Sequence, residues 1–429
     1  MISTTILLLL VILALSVSVT AGLAILAAVL TLLFTPVPLE RMIGEVAWQS
    51  MSSESLVAIP FFILLGEIML RSGIAEKMYA ALVEWLSWLP GGTMHANIGA
   101  SALFAATSGS SVATAATIGT VSIPEIKKRG YNERLFLGTL AAGGTLGILI
   151  PPSVALILYG VLTETSIPRL YMAGMVPGVV LALLFMAFIA GYSLLIPSVG
   201  GAKVHTSWSR RFSVLPDLAP PLFIFAVVVL TIYAGVATPT EAAAFGVVAA
   251  LTLTLLRGKL SIEMLKSAIE GTMRTTAMVV AIILTALILN FVLTFLGISS
   301  AIVRSVSDLD LNPVTFMLTI VAFYLVLGCF MEGFSIMLIT VPIIAPLVVE
   351  MGYDPVWFGI VLTLLLEAAL ITPPIGVNLY VVQGVRKGGG IMDVIVGAAP
   401  FVAIIFAMIL LLMARPEIAL WLPNTVFAR

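Results

Sequence analysis

The sequence is poor in the side chains that build disulfides, metal centres and histidine-based active sites. Cys329 is the single cysteine in 429 residues, which excludes an internal disulfide and a cysteine-cluster metal site. His95 and His205 are the only histidines, so neither a histidine-rich zinc site nor a histidine proton relay is expected. Only 10% of the residues are charged and the formal net charge is −1, which argues against a nucleic-acid partner.

Long apolar runs dominate the chain instead. Hydrophobic residues make up 61% of the sequence, and the mean hydropathy is +1.20. The segments 6–29, 223–233 and 278–296 contain no charged residue. A soluble protein of this length could not bury so much apolar surface, so the sequence predicts an all-α polytopic membrane protein. The first apolar segment continues into a second span, and we therefore expect a retained helix rather than a cleaved signal peptide.

Charged residues mark the turns between the predicted spans. The positive-inside rule places basic clusters such as 127–129 in the cytoplasm and leaves acidic turns, such as that around Glu350, on the outside. On this path, segment 93–128 starts and ends inside, and segment 312–350 starts and ends outside. Each is short for two crossings of about 20 residues and a turn. We therefore predict two re-entrant hairpins that open to opposite sides of the membrane.

Two Pro-Pro pairs interrupt apolar stretches, at 151–152 and 373–374. Each pair follows a predicted hairpin, and the hairpins close at Pro124 and Pro342. Because the hairpins open to opposite sides, we predict two inverted repeats, which are typical of transporters with discontinuous helices. The predicted first repeat covers 1–196, with a hairpin at about 93–128 and a broken helix at about 134–163. A cytoplasmic linker follows at 197–215. The predicted second repeat covers 216–429, with a cytoplasmic arm helix at about 260–272, a hairpin at about 312–350 and a broken helix at about 355–385.

A proline pair inside a membrane helix frees backbone carbonyls, because proline lacks an N–H and clashes with the carbonyl four residues earlier. Freed carbonyls need a partner in the bilayer, and a cation can serve as that partner. Thr145 and Thr372 add hydroxyls within the breaks, so each break can form a cage of oxygens while half-helix N-termini attract an anion. A simple kink explains either pair alone, but two breaks at matched positions favour ion sites.

The predicted hairpin tips carry hydroxyls in one half and a carboxylate in the other. Segment 107–114, TSGSSVAT, is small and hydroxyl-rich, for which close helix packing is the alternative explanation. Glu332 lies ten residues before Pro342, as Thr114 lies ten before Pro124. A carboxylate at membrane depth is costly and by default functional, so we expect Glu332 to hold a sodium ion or to carry a proton.

Two other carboxylates are weaker candidates. Glu67 has Arg71 one helical turn further on, which favours a structural ion pair. Glu367 lies five residues before Thr372, and it is either an anchor for the second break or a structural residue.

An enzyme is the alternative from a different functional class. An intramembrane serine protease could use Ser108 or Ser110, but such a nucleophile needs a base within hydrogen-bond reach. His95 is the only histidine nearby in sequence, and its predicted place at the inner surface is the wrong depth. A passive channel would not need inverted breaks with a buried carboxylate.

Several segments resemble the large membrane subunit of tripartite ATP-independent periplasmic (TRAP) transporters. They are SGSSVATAATIGTVSIPEIKKRGY (108–131), GGTLGILIPPS (143–153), AGMVPG (173–178), VPIIAP (341–346), GYDPVWFGI (352–360) and ITPPIGVNLY (371–380). The resemblance spans nearly the whole chain and implies an elevator-type carrier of the ion-transporter superfamily in the bacterial inner membrane. It further implies sodium-driven uptake of an organic acid, such as a C4-dicarboxylate or a sialic acid, and no cofactor.

The same resemblance implies partners and site residues. The partners are a periplasmic substrate-binding protein and a small four-helix membrane subunit, which we expect to be a separate chain. The residues expected to bind sodium are Ser108, Ser110, Thr114, Gly143, Thr145, Gly328, Glu332, Thr372 and Gly376. Those expected to bind substrate are Ser108, Ser111, Pro151, Pro152, Pro373, Pro374 and Asn378. A carboxylate carrier of the same superfamily that needs no binding protein, coupled to sodium or protons, is the nearest alternative.

Overall fold

A computed structural model describes residues 2–14, 17–35, 40–202, 206–298, 301 and 312–427. Within these residues the chain forms helices and no strand. Six of the described helices are long and apolar enough to cross a membrane, and the number rises to eight if each of two bent pairs is one span. The prediction of an all-α polytopic membrane protein is therefore confirmed. His205 lies outside the described residues.

The first half contains a helical hairpin followed by a broken helix. Its helices are α1 (Ile2–Ala14), α2 (Val19–Phe34), α3 (Glu40–Met51), α4 (Glu54–Arg71), α5 (Ile74–Leu86), α6 (Thr93–Ser108), α7 (Ser111–Ser122), α8 (Pro124–Arg129), α9 (Glu133–Thr145), α10 (Val154–Thr163) and α11 (Ile167–Leu195). Helices α6 and α7 form the first hairpin, and a two-residue tip joins them. Helices α9 and α10 are the two parts of the broken helix, and a 3-10 turn (Leu146–Ile148) follows α9.

The second half repeats this order after a short helix in the linker. Its helices are α12 (Trp208–Ser213), α13 (Ala219–Tyr233), α14 (Pro239–Leu256), α15 (Ile262–Phe295), α16 (Pro313–Phe330), α17 (Gly333–Glu350), α18 (Pro355–Leu370), α19 (Val377–Arg386), α20 (Ile391–Ala414) and α21 (Glu417–Phe427). The arm predicted at about 260–272 is the first part of α15, a single helix of 34 residues. Helices α16 and α17 form the second hairpin, and each is long enough to cross a membrane by length and composition, so chain length alone does not require this hairpin to re-enter.

The two halves share one constant register. Ser110 and Glu332, the residues that precede the second helix of each hairpin, are 222 residues apart (332 − 110). The same separation relates Asn132 to Asp354, the residues that precede the two broken helices. It also relates the Pro-Pro pairs at 151–152 and 373–374, each of which has a cis peptide bond.

This 222-residue register corrects the predicted pairing of the two halves, which matched Pro124 to Pro342 and Thr114 to Glu332. The counterpart of Pro124 is Pro346 rather than Pro342, because α17 contains both of these prolines and only Pro346 is 222 residues further on. The counterpart of Glu332 is accordingly Ser110 and not Thr114. The tip carboxylate of the second half thus replaces a tip hydroxyl of the first half.

The matched residues have the same local role, which is to cap a helix. A side-chain oxygen that accepts a bond from the first free N–H groups stabilises a helix N-terminus. Ser110 accepts from the N–H of Ala113, and Glu332 accepts from two N–H groups at the start of α17. Asn132 caps α9 in the same way, and Asp354 caps α18. These caps set where the hairpin tips and the broken helices begin.

The helices pack into two groups that meet at the hairpin tips. In one group, both helices of the first hairpin pack on α9, both helices of the second hairpin pack on α18, and α10 packs on α17. In the other group, α4 packs against α14 and α15, α2 packs on α15, and α13 packs on α14. Helix α4 also contacts α6 and α10, so it borders the hairpin group.

The tightest helix crossing joins the first broken helix to α20. A Cβ on Gly138 would overlap the carbonyl of Gly397, and a Cβ on Gly397 would overlap the carbonyl of Arg134. Ion pairs tie the same region together at the start of α9, where the Arg386 guanidinium bonds with Glu133. The two backbones are therefore in direct contact, and only glycine fits on either side.

We expect Gly397→Ala to destabilise the protein by about 1–3 kcal/mol, because the added methyl meets a backbone carbonyl that cannot rotate away. Thermal unfolding of the detergent-purified protein would measure this loss. Gly191→Ala is the matched control, since a Cβ at Gly191 in α11 meets nothing within 4 Å. Equal melting temperatures for the two variants would contradict the close crossing.

Candidate functional site

The first hairpin tip is a compact cluster of oxygen atoms. Helix α6 ends at Ser108, Gly109 adopts a left-handed conformation (φ +60°), and α7 begins after Ser110. The Thr114 hydroxyl donates to the Ser110 carbonyl (2.7 Å) and lies 3.3 Å from the Ser108 Oγ. Three of the residues predicted to bind sodium are thus gathered at one tip.

This tip lies directly on the first helix break. A Cβ on Gly147 would lie 2.7 Å from the carbonyl carbon and oxygen of Ser110, and a Cβ on Gly109 would lie 2.8 Å from the Pro152 carbonyl oxygen. Backbone therefore contacts backbone, which glycine permits because it has no side chain. Pro151 and Pro152 are buried.

Two further predicted residues lie at the end of α9. The Thr145 hydroxyl donates to the Ala142 carbonyl (2.8 Å) and is fully buried. A Cβ on Gly143 would lie 2.7 Å from the Oγ of Ser101, so this glycine lets the hairpin helix α6 approach the broken helix. Gly143 therefore lies in the packing between hairpin and broken helix, and Thr145 is the last residue of α9 before the break.

Asn378 connects the second broken helix to the first hairpin. By sequence it follows the second break, but its side-chain amide donates to the Ser111 Oγ (2.8 Å) and to the Ala141 carbonyl (3.3 Å). A Cβ on Gly144 would lie 3.0 Å from the same amide nitrogen, so the contact is close. The two halves therefore share a buried polar contact at the first tip.

The second hairpin tip is built around Glu332. Its carboxylate accepts hydrogen bonds from the N–H of Phe334 (3.0 Å) and from the N–H and hydroxyl of Ser335 (both 3.2 Å). A Cβ on Gly328 would lie 2.6 Å from the Cβ of Ala369, which brings α16 against α18. The carboxylate thus lies at the start of α17, beside the helix that leads into the second break.

The second break is more open than the first. The Thr372 hydroxyl donates to the Ala368 carbonyl (2.7 Å), and Gly376 is left-handed (φ +38°) with a Cβ position 3.0 Å from the Thr372 carbonyl oxygen. The pair 373–374 is exposed, whereas the pair 151–152 is buried. Only the first break is covered by its hairpin tip.

A cavity of about 480 Å³ lies between the two tips. The hairpin tips line it with residues 108–113 and 332–334, and helices α4 and α15 line its other side. Among the predicted site residues, the cavity brings together Ser108, Ser110, Ser111 and Glu332. Its lining does not include Thr114, Gly143, Thr145, Pro151, Pro152, Gly328, Thr372, Pro373, Pro374, Gly376 or Asn378.

The cavity also contains side chains that were not predicted to bind substrate. Glu67 lines it from α4 and forms the expected ion pair with Arg71, at 2.8 Å, and Thr275 lines it from α15. A Cβ on Gly66 would lie 3.1 Å from the Ser108 carbonyl oxygen, so α4 and the first tip are in close contact. No local sequence signal marks these residues, because only tertiary packing brings α4 to the tip.

The tip serines have partners within the hairpin. His95, the histidine considered as a base for these serines, lies at the opposite end of α6 from the tip, where its Nε2 is 2.7 Å from the Pro90 carbonyl oxygen. Ser108 contacts Thr114, and Ser110 caps α7. The described contacts of Ser108 and Ser110 are therefore those of a turn between two helices beside a cavity.

Known proteins are similar to this chain in sequence and in fold. A family model described as "Tripartite ATP-independent periplasmic transporter, DctM component" matches residues 6–418. The C4-dicarboxylate TRAP transporter large permease protein DctM of Vibrio cholerae serotype O1 is 32% identical over 396 residues, which cover 86% of each chain. The ectoine/5-hydroxyectoine TRAP transporter large permease protein UehC of Ruegeria pomeroyi is 30% identical over 378 residues, which cover 87% of each chain.

A solved structure is similar over almost the whole length. The Alcanivorax borkumensis YdaH transporter matches with a TM-score of 0.68 and covers 95% of this chain and 98% of its own, at 16% sequence identity. At that identity the likeness shows a shared fold and nothing more. The family match covers both hairpins and both breaks, and the apolar helices are those of a membrane protein. The chain therefore belongs to the large permease (DctM) family of TRAP transporters and is a multi-pass protein of the bacterial inner membrane.

Proposed function

We propose that this permease imports a carboxylate-bearing organic solute, with sodium as the coupling ion. The observation that carries the proposal is the cavity between the two hairpin tips, whose volume of about 480 Å³ falls in the range of small-molecule sites. The cavity is mostly apolar, and its lining includes Ser108, Ser110 and Ser111. Relatives are named for C4-dicarboxylates and for ectoines, both of which contain a carboxylate.

The tips supply the groups that hold a carboxylate. Helix α7 begins at Ser111 and helix α17 begins at Gly333, and both residues line the cavity. Helix N-termini carry positive partial charge and attract anions. The start of α7 is the better of the two for a substrate carboxylate, because Ser110 caps only the N–H of Ala113, whereas Glu332 already accepts from two N–H groups of α17. The serine hydroxyls at the first tip add donors that fix the orientation of the bound carboxylate.

The oxygen atoms of the tips and breaks suit sodium. Ser108 and Thr114 place two hydroxyl oxygens next to the Ser110 carbonyl in the first half, and Glu332 and Thr372 supply a carboxylate and a hydroxyl in the second half. The three hydroxyls and the Glu332 carboxylate each keep a lone pair beyond those used in their described hydrogen bonds, whereas Thr114 uses both lone pairs of the Ser110 carbonyl through its N–H and its hydroxyl. A sodium ion near Glu332 offsets its negative charge, so an anionic substrate can bind in the same cavity.

The two packing groups suggest how the substrate crosses the membrane. The hairpins and broken helices form the unit that carries the substrate, and α2, α4, α13, α14 and α15 form the scaffold. The cavity lies at their boundary, so sliding of the first group exposes it to either side, as in an elevator. A small four-helix subunit binds the scaffold, and a periplasmic binding protein delivers the substrate.

Reconstitution in liposomes tests this proposal. The permease, the small subunit and the binding protein of the same organism should together take up a labelled C4-dicarboxylate or sialic acid when an inward sodium gradient is imposed. Omission of the binding protein should abolish uptake. Uptake at full rate without the binding protein, or with potassium in place of sodium, would contradict the proposal.

A further inference from the structure

Glu367 is a buried carboxylate without a hydrogen-bond donor. Its residue is 0% exposed, and neither carboxylate oxygen has a hydrogen-bond partner among the described residues. Glu332 differs in this respect, because its oxygens accept three hydrogen bonds from residues 334 and 335. Glu332 and Glu367 therefore occupy chemically different environments.

The position of Glu367 connects it to both breaks. It lies in the last turn and a half of α18, and it is the register counterpart of Thr145, the last residue of α9. Ile360 lies two turns earlier on the same face of α18 and reaches the site where Gly174 meets the Leu149 carbonyl. Helix α18 also contacts α9 and the 3-10 turn. By its spacing from Ile360, Glu367 thus lies on the side of α18 that faces helices of the first half of the chain.

Glu367 is also close to the substrate cavity in sequence and in space. Its neighbour Leu366 lines the cavity, as does Leu370 one turn later. Gly333, next to Glu332, has its Cβ position 3.6 Å from the Cβ of Leu366. A change in the charge of Glu367 therefore takes place beside the site where substrate and sodium are proposed to bind.

No described side chain compensates a negative charge on Glu367. The titratable or charged side chains on the helices that pack against α18 are Glu133, Arg134, Tyr159, Arg169, Tyr171, Tyr192, Tyr324, Cys329, Glu332, Glu350, Tyr380, Arg386, Asp393 and Glu417. None of them donates a hydrogen bond to Glu367. The basic residues Arg134 and Arg386 pair with Asp393 at the far end of α9, and Tyr324 bonds with Thr340.

An ionised carboxylate that is buried without a counter-charge or a donor is strongly unfavourable, whereas the neutral acid is not. We propose that Glu367 is a proton-binding site of the transport unit, and that its carboxylate takes up one proton from water to become a carboxylic acid in the conformation described here. The consequence for transport, which rests on the proposed function, is that uptake depends on protonation of Glu367 as well as on sodium.

Infrared difference spectroscopy of the purified permease tests the proton site without any transport. The carbonyl band of a protonated carboxylic acid should be present in the wild type and absent in Glu367→Gln. The band should remain in Glu332→Gln, because Glu332 has donors for its charged form. Glu367→Met is a second variant that removes the acid with a side chain of similar size. A wild-type protein without the band, or a band that survives in both Glu367 variants, would overturn the proposal.

Uptake as a function of pH tests the consequence. At a fixed sodium gradient, wild-type uptake should fall several-fold as the pH is raised over the range in which the protein remains folded, because the proton is lost at high pH. Glu367→Gln, which mimics the neutral acid, should keep a constant rate over this range. An unchanged pH profile in Glu367→Gln would refute the coupling. Failure of all proteins to take up substrate would instead refute the transport function and would leave the infrared result to decide the proton site.

Discussion

Glu332→Ala is expected to abolish sodium-dependent uptake in liposomes that contain the complete transporter. The substitution removes the carboxylate that lines the cavity at the second tip, and it also leaves the N–H groups of Phe334 and Ser335 without their acceptor. Loss of one partner of a buried charge interaction costs about 2–5 kcal/mol. The smaller figure corresponds to roughly a thirtyfold loss of sodium affinity. Binding of sodium and initial rates of uptake would both be measured.

The register of the two halves provides the matched control for this experiment. Glu332→Ser installs the residue found at the counterpart position, Ser110, and a serine still caps the helix. We expect Glu332→Ser to remain folded with near-wild-type thermal stability but to lose sodium affinity as Glu332→Ala does. Retention of normal sodium dependence in Glu332→Ser would mean that the charge of Glu332 has no part in ion binding and that its role is to cap α17.

Gly147→Ala is expected to disable transport from a position that does not line the cavity. The added Cβ would lie 2.7 Å from the carbonyl of Ser110 and 2.8 Å from the N–H nitrogen of Ser111. Since both are backbone atoms, the first hairpin tip must move away from the break, at a cost of about 1–3 kcal/mol. Displacement of the tip separates the Ser108 and Thr114 hydroxyls from the break, and uptake should fall at least about tenfold.

Gly119→Ala is the control for this variant. Gly119 is in the same hairpin, but the nearest atom to its Cβ position is 3.8 Å away, which is an ordinary contact. Uptake and melting temperature should therefore stay near the wild-type values. If Gly147→Ala transported as well as Gly119→Ala, the tight contact between the tip and the break would not be required for function.

Local features of the fold were predictable from the sequence, because they depend on local chemistry. The proline pairs 151–152 and 373–374 lie where the described helices are interrupted, since proline removes a backbone donor and obstructs the helix. The small residues around Gly109 mark the turn between α6 and α7, and the apolar runs became long helices. Each of these depends on a few consecutive residues.

Contacts between distant segments were not predictable. The bond from Asn378 to Ser111 joins residues in different halves, and the place of Glu67 in the cavity depends on how α4 meets the first tip. The register was mispaired because α17 contains two prolines, Pro342 and Pro346, and their spacing to the next break does not reveal which one matches. The capping contacts of residues such as Glu332 decide between Pro342 and Pro346, but they can be identified only in the structure, where the start of each helix is defined.

The contacts of α9 with α19 and α20 have a consequence for the synthesis of the protein. The first hairpin and break are complete well before the ribosome reaches Asn378 and Gly397, which cover them in the finished protein. At ~5–20 residues per second the delay is on the order of ten seconds to a minute. During that interval the tip hydroxyls and the broken helix lie in the membrane without their later neighbours. The nascent chain is then most exposed to misassembly and to proteolytic quality control, and variants that slow the second half will lower the yield of the carrier even where their finished structure is sound.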